Sequence, residues 1–165
     1  PRHSRRATEE LMSNLAALLQ RELELLESFS ALLTEERLAL EQGNADALPA
    51  FANKKAPLIE GLNHAGHQRN LWLKQQGYAD DVAGVQAWLA ANPTAKPMHQ
   101  MWQRFLETAR QARELNTLNS VMLSQQLRAT NEALAFFGQE AQRQALYGAD
   151  GQPSVLTGNR VIDSA

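Results

Sequence analysis

Apolar residues recur at alternating spacings of four and three along the first part of the chain, and this pattern predicts a long helix over 7–42. Thr8 is a suitable N-cap for this helix, and Gly43-Asn44 ends it. The flanking residues Leu19, Leu26 and Leu33 widen the stripe until it can face two neighbours, which favours a bundle over a two-stranded coiled coil. The seam itself is formed by Leu11, Leu15, Leu18, Leu25, Phe29 and Leu32, with Glu22 in its one gap.

The polar positions of the same helix are rich in glutamate. Arg21 and Arg37 are interleaved with the acidic residues, and the spacing forces no two carboxylates into an acid/base pair. The acidic run is therefore interpreted as a solvent-facing side of the helix. Its members are Glu22, Glu24, Glu27, Glu35, Glu36 and Glu41.

A second helix is predicted from Asp46, a candidate N-cap, to Gly77, which closes it. Pro49 falls in the tolerated first turn, whereas Pro57 lies inside the helix and is expected to kink it. Its apolar face consists of Leu48, Phe51, Leu58, Leu62 and Trp72.

Residues 78–97 connect this helix to a third long one. Asp80 or Asp81 is expected to cap a short helix that reaches about Ala91 and ends at Asn92-Pro93. Its Val85, Trp88 and Leu89 are predicted to face the core. Thr94 is expected to cap the third long helix, which runs to Tyr147. The inner side of that helix is predicted to be Met101, Trp102, Phe105, Ala109, Ala112, Leu115, Asn119, Met122, Leu123, Gln126 and Leu127.

These elements predict an all-α fold: an antiparallel up-down-up bundle of three long helices with a short connector helix. Residues 1–147 would form the bundle domain. Residues 148–165, rich in glycine and poor in large apolar side chains, would form a flexible tail. At 1.5 Å per residue the third long helix should extend past the far end of the first by about 20 Å, or some 13 residues. This overhang would expose Leu134, Phe136, Phe137, Leu146 and Tyr147, unless the helix folds back at Gly138 and covers itself.

Composition narrows the possible functions. A formal net charge of -2 gives no electrostatic reason to bind nucleic acid. No apolar run is long enough to span a membrane, and the basic start lacks the apolar region of a secretory signal, so a soluble cytoplasmic protein is expected. The chain has no cysteine. No phosphate-binding glycine loop or catalytic triad is evident, and we expect neither an enzyme nor a cofactor.

Two further features leave alternatives open. Residues 115–127 carry no charge, which suggests contact around much of the helix, with Asn119 and Gln126 setting register or partner choice. The same window also fits the centre of an ordinary bundle with satisfied amides. Glu60, His64 and His67 share one face of the second helix at a spacing that metal ligands use, but solvated surface histidines are the favoured explanation.

Three stretches give the chain a resemblance to a known family. The first runs from Glu36-Arg-Leu-Ala-Leu40 through Gly43, Lys54-Lys55, Leu58 and Leu62 to Arg69. The second contains Leu115-Asn116, Asn119, Leu123, Asn131 and Ala133-Leu134. The third and most specific is Leu146-Tyr147-Gly148-Ala149-Asp150-Gly151-Gln152. On these residues the chain resembles the FlgN family, the cytoplasmic export chaperones of the bacterial flagellum.

The resemblance implies specific partners. Family members bind the C-terminal regions of the hook-filament junction proteins FlgK and FlgL, prevent their premature assembly and deliver them to the flagellar type III export gate. The tyrosine that matches Tyr147 is implicated in docking to the gate protein FlhA. The expected cargo-binding residues are Asn119, Leu123, Gln126, Leu127, Asn131, Leu134 and Phe137.

Two other functions compete with the export chaperone. The overhang would also suit a structural helical protein that self-associates, for instance as a homodimer. A metal-dependent helical protein that uses His64 and His67 is the third hypothesis.

Overall fold

A computed structural model describes residues 2–147 of the chain, with side chains described over residues 9–145. Four α-helices account for most of this part: α1 (Arg2–Glu41), α2 (Leu48–Gln75), α3 (Val82–Ala91) and α4 (Lys96–Tyr147). A 3-10 turn, Ala45–Ala47, separates α1 from α2. No strand occurs between residues 2 and 147, and the predicted all-α class is confirmed. The predicted tail, residues 148–165, lies outside the described residues.

Two glycines end α1 and α2 in the same way, as the sequence predicted. Gly43 and Gly77 adopt left-handed backbone conformations, with φ of 67° and 81°. After α1, Asn44 N donates to Ala39 O at 2.9 Å, and Gly43 N donates to Leu40 O at 3.1 Å. The corresponding two bonds close α2. Side chains with a Cβ rarely adopt this conformation, which explains why a glycine stands at both helix ends.

Three of the predicted N-caps are wrong. The first helix begins at Arg2, before Thr8, because no residue between them interrupts a helix. Asp46 lies within the 3-10 turn, so α2 begins at Leu48 and has Ala47 as its N-cap. Ala95, and not Thr94, precedes α4, and Ala95 O accepts from His99 N. The second helix continues through Pro57, where the kink remains a prediction.

The short helix α3 has the predicted cap and core-facing residues. Asp81 Oδ1 accepts from Gly84 N at 3.0 Å, which satisfies one of the amides left unpaired at the start of the helix. Val85, Trp88 and Leu89 are buried. Gly84 packs against the turn before α3, where a Cβ would overlap the carbonyl group of Ala79.

The chain divides into two compact units, residues 1–122 and residues 123–165. The first unit contains α1, α2, α3 and the first half of α4. Its main core joins α1 to the end of α2, to α3 and to the start of α4. The buried members of this core include Leu15, Leu19, Trp72, Leu73, Val85, Trp88, Leu89, Met98 and Trp102.

The buried stripe of α1 contains part of the predicted seam and all three of the predicted flanking leucines. Leu15, Leu19, Leu26 and Leu33 are buried, and Leu26 and Leu33 pack with Ala112 of α4 in a second core cluster. Of the predicted seam positions, three are buried (Leu15, Glu22 and Leu32), three are half-buried (Leu18, Leu25 and Phe29), and Leu11 is exposed. The residues predicted to widen the seam are thus its centre.

Candidate protein-binding surface

A buried ion pair lies in the middle of the first unit. Arg69 Nη1 of α2 donates to Glu22 Oε1 at 2.7 Å and to Oε2 at 2.6 Å, and both side chains are buried. The Arg69 guanidinium lies over the ring of Trp102 of α4, with 5.8 Å between its central carbon and the ring centroid. Burial raises the pKa of the Glu22 carboxyl, and the charge of Arg69 only partly opposes this. One cluster therefore joins three helices.

A second polar cluster joins the same three helices. Glu36 Oε2 of α1 lies 2.6 Å from Nζ of Lys55 of α2 and accepts from Nδ2 of Asn119 of α4 at 2.8 Å. The same Asn119 nitrogen donates to Leu33 O at 2.8 Å. Asn119 is 2% exposed. The side-chain amide thus links α4 to both the backbone and an acidic side chain of α1.

These two clusters correct the interpretation of the acidic run. Glu22 and Glu36 were assigned to a solvent-facing side, yet both are buried because a basic side chain of α2 reaches each of them. The earlier acidic residue of α1, Glu22, pairs with the later basic residue of α2, Arg69. Glu36, later in α1, pairs with the earlier Lys55, so α1 and α2 are antiparallel. The complete up-down-up arrangement remains a prediction.

The second unit presents a different surface. Three large apolar side chains, Leu127, Leu134 and Phe137, are 56%, 64% and 67% exposed. Their spacings of seven and three residues place them on one side of α4, and we call this set the α4 stripe. Phe136 is 63% exposed and packs edge-to-face on Phe137, with centroids 5.9 Å apart. All residues from 127 to 139 are exposed.

A shallow groove lies beside the first residue of the α4 stripe. Ser124, Arg128, Asn131, Glu132 and Ala135 line it together with Leu127. Arg128 Nε and Glu132 Oε1 are 4.0 Å apart and highly exposed, so they contribute little to stability. The groove therefore presents apolar side chains next to the amide of Asn131, the positive charge of Arg128 and the negative charge of Glu132.

The structure separates the predicted cargo-binding residues into three groups. Leu127, Asn131, Leu134 and Phe137 are exposed in the second unit, as the predicted role requires. Leu123 and Gln126 are half-buried. Asn119 belongs to the interior of the first unit, where its amide is used by α1.

The structure corrects one assignment to the inner side of the third long helix and one interpretation of the charge-free window. Leu127 was placed on that side, and its exposure contradicts this part of the prediction. Leu118 and Val121 of the charge-free window are also exposed, so the described chain does not surround this window. The backbone of Tyr147 ends α4, but its side chain lies outside the described residues.

Neither a metal site nor a membrane span is found in the described part of the chain. Glu60, His64 and His67 are exposed on α2. Over the described residues, no group of three or more His, Asp or Glu side chains is arranged to hold a metal ion. None of the described helices is long and apolar enough to cross a membrane.

Comparison with known proteins decides the family. A family model described as FlgN protein matches residues 11–154, which is most of the chain. The chain belongs to the FlgN family. The Flagella synthesis protein FlgN of Proteus mirabilis is 27% identical over 155 residues, covering 92% of this chain and 99% of that protein. The protein of the same name from Salmonella typhimurium is 28% identical over 147 residues, covering 87% and 93%. No solved structure matches the chain significantly.

The structure gives a physical role to several residues on which the FlgN resemblance rests. Glu36, Lys55, Arg69 and Asn119 all lie in the two interior polar clusters. Spacing along the chain did not reveal these pairings, because they depend on how the helices are placed against one another. The one sequence signal of a buried polar contact was the acidic residue Glu22 within an otherwise apolar seam.

Proposed function

We propose that this FlgN-family protein is a cytoplasmic export chaperone, and not an enzyme, with a role in flagellum synthesis. It would bind the C-terminal regions of FlgK and FlgL, prevent their premature assembly and deliver them to the flagellar export gate. The observation that carries the proposal is the α4 stripe: large apolar side chains that are exposed in the described part of a protein of this family.

The chemistry of the stripe suits a helical segment of a cargo protein. An amphipathic helix laid along α4 would cover Leu127, Leu134 and Phe137 with its own apolar face. Burying the part of each side chain that is still exposed is worth about 1–2 kcal/mol before the costs of association are counted. Asn131 offers a polar contact in the adjoining groove.

The charges of the second unit favour apolar over electrostatic recognition. Its described charged side chains in α4 are Arg128, Glu132, Glu140 and Arg143, two of each sign. The four charges cancel, so they exert no long-range attraction on either a positively or a negatively charged cargo segment. Cargo binding should therefore depend only weakly on salt concentration, because these side chains carry no net charge whose long-range attraction salt could screen.

The proposed test mixes the full chain with a C-terminal segment of FlgK or FlgL and measures binding by isothermal titration calorimetry. Leu134→Asp should weaken binding by at least tenfold, because a charge would replace a buried apolar contact. Leu38→Asp is the matched control, since Leu38 is 52% exposed on α1 of the first unit. No binding of the unmodified chain at tens of micromolar, or equal losses in the two variants, would contradict the proposal.

Docking to the export gate is assigned separately to Tyr147. This part of the proposal rests on the family resemblance of the stretch around Tyr147. Tyr147→Ala should weaken binding to the cytoplasmic part of FlhA and leave the affinity for the FlgK segment unchanged. Loss of cargo binding in this variant would show that the tyrosine is misassigned.

Self-association through the α4 stripe is the second candidate function. The same exposed leucine and phenylalanine side chains favour it, because an apolar stripe can pair with its own copy. Light scattering distinguishes the two proposals. A stable dimer that Leu134→Asp dissociates, and that a cargo segment leaves unchanged, would favour self-association.

A further inference from the structure

The α4 stripe lies within reach of the segment that follows α4. Eighteen residues, 148–165, come after Tyr147, the last residue of the helix. At 1.5 Å per residue, Leu127 lies about 30 Å and Phe137 about 15 Å along the helix from its end. A chain of this length spans up to about 60 Å when it is extended. The following segment can therefore reach every side chain of the α4 stripe.

The sequence of this segment contains two apolar pairs, Val155-Leu156 and Val161-Ile162. The residues between the pairs, 157–160, are polar or glycine. Asp150-Gly151 and Pro153 precede the first pair, and both are typical of a turn. A turn at this point would direct both apolar pairs back along α4.

The spacing of the two pairs matches the length of the α4 stripe. Leu127 and Phe137 are ten residues apart, which is about 15 Å on a helix. Leu156 and Ile162 are six residues apart, which is about 20 Å in a fully extended chain, so a slightly contracted segment spans the stripe. Because the segment would run back along the helix, Leu156 would cover Phe137. Ile162 would then cover Leu127.

The charges of the segment complement those beside the stripe. In this register Arg160 would lie next to Glu132. Asp163, which follows the second apolar pair, would lie toward Arg128. Arg128 Nε and Glu132 Oε1 are 4.0 Å apart and both side chains are highly exposed, so each is accessible to an opposite charge from the segment.

We propose that residues 154–163 fold back onto α4 and cover the α4 stripe until cargo displaces them. The displacement by cargo rests on the proposed function, whereas the contact itself does not. A tethered segment has an effective concentration in the millimolar range, so a contact that is too weak for a free peptide still covers the stripe in a large share of the molecules. The family match ends at residue 154, so membership of the FlgN family does not supply this contact.

A spin label tests the contact in the absence of cargo. The chain has no cysteine, so Ser164→Cys provides a single attachment site for a nitroxide. In the full chain without cargo, the label should broaden the amide NMR signals of residues 124–131 more than those of residues 140–146, because the segment runs back along α4. Equal broadening of the two ranges, or none in either, would overturn the proposal.

Two double variants of the labelled chain test the apolar contacts. Leu156→Ser with Ile162→Ser should abolish the selective broadening, because the side chains that cover the stripe are removed. Thr157→Ser with Asn159→Ser is the matched control, since it introduces the same residue at two polar positions between the apolar pairs. This control should keep the broadening. Equal broadening in the two double variants would overturn the proposal.

The affinity for cargo measures the consequence of the contact. Calorimetry with the C-terminal segment of FlgK should show about threefold tighter binding to the Leu156→Ser, Ile162→Ser variant than to the unmodified chain, because the covered fraction of a site lowers its apparent affinity. The control variant should bind like the unmodified chain. Equal affinities of all three forms would overturn the displacement. If none of them binds the segment, the proposed function fails, and the spin label still decides whether the contact exists.

Discussion

Replacement of Arg69 by methionine removes the cation that faces Glu22 in the interior and leaves that carboxylate buried. Breaking a buried pair in this way typically costs about 3–5 kcal/mol, because the remaining charge loses its partner without regaining water. With a urea dependence of about 2 kcal/mol per molar, the unfolding midpoint should fall by about 1.5–2.5 M.

A second arginine provides the matched control. Arg104 Nε and Glu27 Oε1 are also 2.6 Å apart, but the two side chains are 68% and 36% exposed. Arg104→Met should therefore cost at most about 1 kcal/mol, since the Arg104 side chain is largely exposed and water screens the pair. Burial, and not the distance, distinguishes the two pairs.

The free energy of unfolding of Arg69→Met should also depend on pH, in a direction that the pKa of Glu22 determines. Burial already raises the pKa of Glu22 above its ordinary value of 4.5, and removal of Arg69 should raise it further. The folded variant then holds this proton more tightly than the unfolded chain does. Its free energy of unfolding must fall as pH rises from about 4.5 through the folded pKa of Glu22.

Urea unfolding, followed by circular dichroism at pH 5 and at pH 7, measures both effects. The difference in stability between the unmodified chain and Arg69→Met should be larger at pH 7 than at pH 5. Replacement of Glu22 by glutamine in the same variant should recover part of the loss, because the buried charge is then absent. A cost of Arg69→Met no larger than that of Arg104→Met, or an equal cost at the two pH values, would contradict the role assigned to the buried pair.

Three further substitutions test the packing of the helices. Asn119→Ala should cost about 1–3 kcal/mol in urea unfolding, because it removes the buried bonds that Asn119 donates to Leu33 O and Glu36 Oε2, and Asn116→Ala, at an exposed position, should stay within about 0.5 kcal/mol; similar costs would contradict the interior role of Asn119. Gly84→Ala should lower the melting temperature by several degrees through its overlap with the turn before α3, and an unchanged melting temperature would contradict the close packing. Gly138→Ala meets open space, so it should stabilise the end of α4 by about 0.5–1 kcal/mol and slow local amide exchange; faster exchange would contradict a helical Gly138.

The parts of the fold that depend on neighbours in sequence were predictable. Gly43 and Gly77 end helices because a local backbone conformation requires glycine. Asp81 caps α3 through a bond to an amide three residues away. Thr8, Asp46 and Thr94 have suitable side chains as well, yet the helices start elsewhere, because N-cap preference is small compared with the energy of extending or packing a helix.

The interior polar clusters, and which candidate site residues are exposed, depend on contacts between residues that are far apart in sequence. The sequence pattern alone therefore did not predict them. Glu36 and Asn119 are 83 residues apart and meet only when α1 and α4 pack. Asn119 therefore looked like a partner contact in the sequence, whereas the structure gives it a role inside the first unit. Leu134 and Phe137 were identified correctly as exposed, since helix-length arithmetic left no residues to cover them.

The central claim is that cargo covers the exposed part of α4 in the second unit. Amide hydrogen exchange with and without the FlgK C-terminal segment tests it directly. Cargo binding should slow exchange over residues 127–139, where every residue is exposed in the described structure, and should change exchange little in α1 and α2. Protection confined to α1 or α2, at a peptide concentration that saturates binding, would contradict it.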